Sequence, residues 1–125
     1  MLTATGIKKN YGSLPVLKGV DLKIEKGSVM AIMGASGAGK STLLHILGTL
    51  DTPDGGKLEI NGTDVFGLSA QALADFRNRS LGFVFQFHNL LPEFTALENV
   101  MIPGLIGKPD PKKVRVKAKE LLDRL

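Results

Sequence analysis

The 125-residue chain contains no cysteine and no tryptophan. Without thiols it can build neither a disulfide framework nor a thiolate metal site, and a reducing compartment suits it. Histidine is nearly missing as well. His45 and His88 are the only two, too few for an imidazole-built metal cage, so each reads as a core or surface residue. No apolar run approaches the ~20 residues that a bilayer span needs. The start, Met1-Leu-Thr-Ala-Thr-Gly-Ile-Lys8, lacks the basic-then-apolar order of a secretory signal. Any link to a membrane would therefore run through a partner. Internal repeats and low-complexity tracts are absent too.

Acidic residues are in the minority, 12 against 16 basic ones, for a net charge of +4. Six of the sixteen lie between Lys108 and Lys119, where a solvated helix face is a simpler explanation than contact with an anionic surface. No aromatics interleave with these lysines as a base-stacking platform requires, so no nucleic-acid partner is expected. With 43% hydrophobic and 22% charged residues, the chain has the composition of one small globular domain.

Glycine, by contrast, is plentiful at 15 residues. Three glycines stand in Gly34-Ala35-Ser36-Gly37-Ala38-Gly39-Lys40-Ser41, which matches G-x-x-x-x-G-K-[ST] at every fixed position. Positions without a side chain let the backbone curl so that its N–H groups converge on a phosphate. Lys40 supplies a mobile positive charge for the outer phosphates, and the Ser41 hydroxyl can ligate Mg²⁺. The context fits. Residues 28–33 are a short apolar run without alternation, as expected of a buried parallel strand. Residues 42–47 read as a short buried helix stopped by Gly48. A nucleotide-phosphate site follows from loop, strand and helix together.

The remaining chain supplies a coarse α/β frame. Residues 2–11 and 16–25 read as two arms of an antiparallel pair, and residues 57–60 as a further short strand before the Asn61-Gly62 turn. Ser69 is placed as the N-cap of a helix running to about Arg79, with Leu73 and Phe76 facing inward. Residues 81–85 form a second buried-strand candidate ending at Gln86, the place where open α/β sheets hold their ligands. Thr95 and Glu98 have capping-box spacing and begin a short helix expected to end at Pro103-Gly104. Asp110-Pro111 starts a last helix with Val114, Ala118, Leu121, Leu122 and Leu125 on one face.

Tyr11-Gly12, the loop Gly34–Ser41, the stretch Asp54–Gly62 and Gly82-Phe-Val-Phe-Gln86 resemble, in order and spacing, the first half of an ABC transporter ATPase subunit. Residues 82–100 are similar to the lipoprotein-releasing (LolD-type) and MacB-type branch. The resemblance implies a P-loop NTPase of ABC-ATPase type: a partial RecA-like parallel core with an antiparallel β subdomain over residues 1–85, and the Gln86 loop and start of a helical subdomain over 86–125. It implies ATP and Mg²⁺ as cofactors. Tyr11 would stack on adenine with Val16 beside it. Gly34, Ala35, Ser36, Gly37, Ala38, Gly39, Lys40, Ser41 and Thr42 would wrap the phosphates and metal. Gln86 would touch Mg²⁺ or the attacking water, so Lys40 and Gln86 are the expected catalytic residues and Ser41 and Gln86 the metal contacts. Read from the residues alone, a strand-end aromatic is the lesser alternative for Tyr11, and Gln86 serves equally as a strand-end cap. The segment 87–101 would lie near the groove that receives a permease, although half-buried loop packing explains its apolar content almost as well.

The family's Leu-Ser-Gly-Gly-Gln signature, Asp-Glu strand end and switch histidine have no counterparts here. The chain is therefore expected to be the N-terminal half of a longer, incomplete subunit, inactive alone. The whole protein would hydrolyse ATP as a homodimer with transmembrane permease subunits, at the cytoplasmic face of the inner membrane, to power release of a lipoprotein or other amphiphile. A nucleotide-binding module without hydrolysis is the alternative. A small-molecule kinase or GTPase fits less well, because antiparallel strands and Tyr11 precede the loop.

Overall fold

A computed structural model describes residues 1–107 and 109–125. They divide into two compact units, Met1–Arg77 and Asn78–Leu125.

The first unit is built on antiparallel strands. β1 (Leu2–Tyr11) pairs with β2 (Leu14–Ile24) on one side and β3 (Gly55–Ile60) on the other, and the two-residue β4 (Thr63–Asp64) completes the order β2-β1-β3-β4. Short turns join β1 to β2 and β3 to β4, as antiparallel neighbours allow, whereas β3 returns to β1 only after a long excursion of the chain. Asn61 (φ 50°) and Gly62 (φ 80°) make the turn between β3 and β4. One face of the sheet buries Ala4, Ile7, Leu17, Leu58 and Ile60. Helix α1 (Lys40–Leu47) adds Leu43, Ile46 and Leu47 to the buried set, leaves Leu44 exposed and ends at Gly48. Val65, in a 3-10 turn at Val65–Gly67, is fully buried as well. Gly56 shows how tightly β3 approaches β1: a Cβ there would stand 2.5 Å from the Gly6 carbonyl oxygen. Helix α2 (Ala70–Ser80) begins after Ser69, whose hydroxyl accepts from the Ala72 N–H at 3.3 Å, and Leu73 and Phe76 are half-buried.

Two strands expected from the sequence require correction. Neither residues 28–33 nor residues 81–85 form a hydrogen-bonded strand, and the one sheet among the described residues is antiparallel. Val29, Met33 and Val84 are almost fully exposed (99%, 89% and 102%). The reason lies in strand geometry. A parallel strand takes its neighbours from sequence-distant crossovers and is stable only when covered on both faces. These two runs have the composition of such strands without the partners. Phe83 and Phe85 instead stack on each other, 5.6 Å between ring centroids.

The second unit contains α3 (Ala96–Leu105) and α4 (Pro111–Leu122). Both expected caps are present. Thr95 accepts from the Glu98 N–H while Glu98 accepts from the Thr95 N–H, and Asp110 accepts from the Lys112 N–H. α3 runs through Pro103 to Leu105 rather than stopping there, because a proline near a helix end forfeits one hydrogen bond without forcing a break. On α4 Ala118 is buried and Val114 and Leu122 are half-buried, whereas Leu121 and Leu125 are exposed, contrary to the single apolar face expected. No helix among the described residues is long and apolar enough to cross a membrane.

Candidate functional site

The glycine-rich loop leaves residue 33 and winds directly into α1. Gly37 and Gly39 adopt positive φ (78° and 86°), with Gly39 at the helix N-cap, and the Leu43 N–H donates to the Gly39 carbonyl at 2.8 Å. Such left-handed residues between right-handed ones build the concave backbone that suits anions, and the helix end adds its own partial positive charge. Lys40 folds back over the loop, its Nζ donating to the Gly34 carbonyl at 2.9 Å and to the Ala35 carbonyl at 2.7 Å. The ammonium therefore sits within the loop's own compass.

Tyr11, Val16, Gly37, Gly39, Lys40, Ser41 and Thr42 line one concavity of about 250 Å³. Seven of the expected site residues are thus brought together by two different parts of the first unit, the β1–β2 hairpin and the loop with α1. The two approach closely at Gly39, where a Cβ would stand 2.9 Å from Val16 Cγ1 and 3.3 Å from the Val16 carbonyl oxygen. Gly34, Ala35, Ser36 and Ala38 belong to the same loop, held partly by an Ala38 N–H bond to the Ala35 carbonyl at 3.2 Å. Gln86 belongs to the second unit, where it is exposed at a bend.

Sequence reasoning missed the residues that hold Tyr11. The Tyr11 hydroxyl donates to Asp51 Oδ2 at 3.1 Å, and Lys9 Nζ donates to Asp51 Oδ1 at 2.8 Å and to the Thr52 carbonyl at 2.7 Å. The same Lys9 Nζ lies over the Tyr11 ring, 5.5 Å from its centroid. Asp54 accepts from the Asn10 N–H at 2.6 Å. The Lys9 hydrogen bond holds the Asp51 carboxyl below its ordinary pKa, helped by the Thr52 N–H and the Tyr11 hydroxyl, while Asp51 raises that of Lys9. The available signal was the acidic residue at each end of Asp51-Thr-Pro-Asp54, read only as a turn although such carboxylates readily accept from neighbouring N–H groups.

The family model described as "ABC transporter" matches residues 17–125. The chain belongs to the ABC transporter family. Among its relatives, the lipoprotein-releasing system ATP-binding protein LolD of Porphyromonas gingivalis is 57% identical over 125 residues, a match covering 100% of this chain and 57% of that protein. The LolD protein of Bacteroides fragilis is 56% identical over 123 residues, covering 98% of this chain and 57% of that protein. The chain thus spans rather more than half the length of these relatives. Among solved structures, the dimeric cassette MJ0796 superimposes with a TM-score of 0.86 at 39% identity, and its post-hydrolysis form bound to ADP and Pi with 0.84 at 38%. Each comparison covers 98% of this chain and 56% of the other. The fold is therefore that of an ABC ATPase cassette, of which the antiparallel sheet and the phosphate loop with its helix are present here.

Proposed function

We propose that this chain is the N-terminal portion of the ATP-binding subunit of a lipoprotein-releasing ABC transporter. The observation that carries the reading is the concavity in which Tyr11 and Val16 meet Gly37, Gly39, Lys40, Ser41 and Thr42. It pairs an aromatic and an aliphatic surface, suited to a purine, with a cationic, glycine-rich loop, suited to a polyphosphate. The LolD relatives supply the branch. A nucleotide would be held by Tyr11 and Val16 at the base and by residues 34–42 at the phosphates, with Lys40 leaving its two loop carbonyls to meet the outer phosphate oxygens. No group of three or more acidic, histidine or cysteine side chains among the described residues could cage a metal. Mg²⁺ would accordingly be held by the Ser41 hydroxyl and by phosphate oxygens. When bound, it neutralises charge developing on the transferring phosphoryl group.

The lining contains no carboxylate to orient a water molecule, so these residues bind and position while the base comes from sequence outside them. Full hydrolysis would need a second ATPase subunit, and the release of lipoprotein would need permease subunits. The cbiO1 protein of Clostridium perfringens, a neighbour at 26% identity, is part of the ABC transporter complex cbiONQ, and MJ0796 is dimeric. On this reading the working protein would sit at the cytoplasmic face of the inner membrane. In the complete gene product, Lys40→Ala should reduce Mg²⁺-dependent ATP hydrolysis on the order of 100-fold or more, as removal of a transition-state charge contact does. Undiminished turnover in that variant would refute the assignment.

A further inference from the structure

We propose that Asp51 is a positioning residue for base recognition, fixing the Tyr11 ring so that one face is closed by Lys9 and the other is presented to the purine. The inference rests on the reading of Tyr11 as the base-stacking residue and adds to it the machinery that orients the ring. A tyrosine at a strand end, half exposed as Tyr11 is (51%), would ordinarily sample several rotamers, and stacking on a base would have to freeze them. Here the hydroxyl is tethered at 3.1 Å to a carboxylate, and that carboxylate is itself held by Lys9 at 2.8 Å. Lys9 Nζ, 5.5 Å from the ring centroid, lies within the reach of a cation–π contact and occupies one face. Only the opposite face is left to stack.

Asp51 in turn is not free to wander. Its N–H and that of Leu50 both donate to the His45 carbonyl, at 3.2 and 2.7 Å, so the turn is tied to the end of α1. Thr49, at the start of the turn, adopts a left-handed φ of 58° while 3% exposed, an unfavourable conformation for a β-branched residue. Arg77 of α2 holds it there, donating to Thr49 Oγ1 at 3.0 Å and to the Thr49 carbonyl at 2.6 Å. A continuous set of contacts thus runs from α2 through the turn after α1 to the ring. The helix that begins at the phosphate loop also carries, at its other end, the carboxylate that aims the aromatic. Base grip and phosphate grip are set by the same rigid element.

The test compares two probes in the complete gene product: ATP, which engages ring and loop, and inorganic tripolyphosphate, which engages the loop alone. Asp51→Asn is nearly isosteric and should weaken ATP binding roughly three- to tenfold, the effect of one hydrogen bond, while changing tripolyphosphate affinity less than about twofold. Tyr11→Phe removes the hydroxyl yet leaves the Lys9–Asp51 pair and the turn intact. It should reproduce the ATP-selective loss, and the double variant should be no worse than Asp51→Asn alone, because that change already cuts the contact that Tyr11→Phe removes. Equal loss for both probes would mean that Asp51 merely folds the loop, and an unaltered ATP affinity in Asp51→Asn or Tyr11→Phe, or additive losses, would likewise overturn the proposal. Tyr11→Ala separates this from failure of the underlying reading. If that variant also binds ATP normally, Tyr11 does not stack on the base; if it alone loses ATP, stacking stands and the tether does not.

Discussion

An added Cβ at Gly39 would meet Val16 Cγ1 at 2.9 Å and Leu17 Cδ2 at 3.1 Å, and the residue's φ of 86° is one that an L side chain adopts only under strain. Gly39→Ala should therefore push the loop away from β2 at a cost of about 1–3 kcal/mol, opening the seam between phosphate loop and hairpin. Calorimetric titration with ATP should show the affinity falling by at least tenfold, whereas Gly37→Ala, with nothing within 4 Å of its added Cβ, should be milder. The motif alone requires glycine at position 39 but does not distinguish the two demands made on it. The structure does: one is conformational, the other is the nearness of β2. Lys40 gives a second lesson at this scale. Its type and position were legible from the pattern, but its bonds to the Gly34 and Ala35 carbonyls were not, because they depend on how the loop coils back on itself.

Among the elements, those with local signals were readable and those with distant partners were not. β1, β2 and β3 alternate, turn at Asn61-Gly62 and pair in the expected antiparallel sense. Residues 28–33 and 81–85 carry equally strong apolar runs, yet a parallel strand is defined by neighbours that sequence periodicity does not encode, and neither run is paired. The turn after α1 lay between these cases, with its residues recognised as turn formers and their long-range donors, Lys9 and Tyr11, unseen. The capping box of α3 was legible because all its contacts lie within four residues. Its Glu98 carboxyl is held below the ordinary carboxylate range by the Thr95 N–H first and the Thr95 hydroxyl second. A depressed folded pKa stabilises above the unfolded value and loses that contribution as the pH falls through the folded one. The first turn of α3 should thus fray on acidification below about pH 4.5, seen as faster exchange of the Glu98 and Asn99 amides. At neutral pH Thr95→Ala should cost roughly 1 kcal/mol and accelerate the same amides about fivefold.

At the scale of the whole molecule, the unpaired runs 28–33 and 81–85 and the loop after Gln86 carry exposed apolar surface: Val29, Met33, Val84, Phe87 and Leu90 are each more than 60% exposed. Unpaired backbone beside such side chains is a template for edge-to-edge association. The 125-residue polypeptide expressed alone should self-associate at micromolar concentration, and a single sharp monomer peak in sedimentation velocity would contradict this. The ABC family was legible without any structure, since loop, Tyr11 and Gln86 stretch follow one another at the family's spacing, and so were the residues that line the concavity. The supports of the pocket were not, because each joins residues some 28 to 44 positions apart. Even so, every residue lining the concavity falls between positions 11 and 42, and every contact bracing Tyr11 lies at or before Arg77. During synthesis, then, the concavity can be complete once residue 77 clears the ribosomal exit tunnel, and, on the function proposed above, a nucleotide captured at that moment would shelter the nascent intermediate.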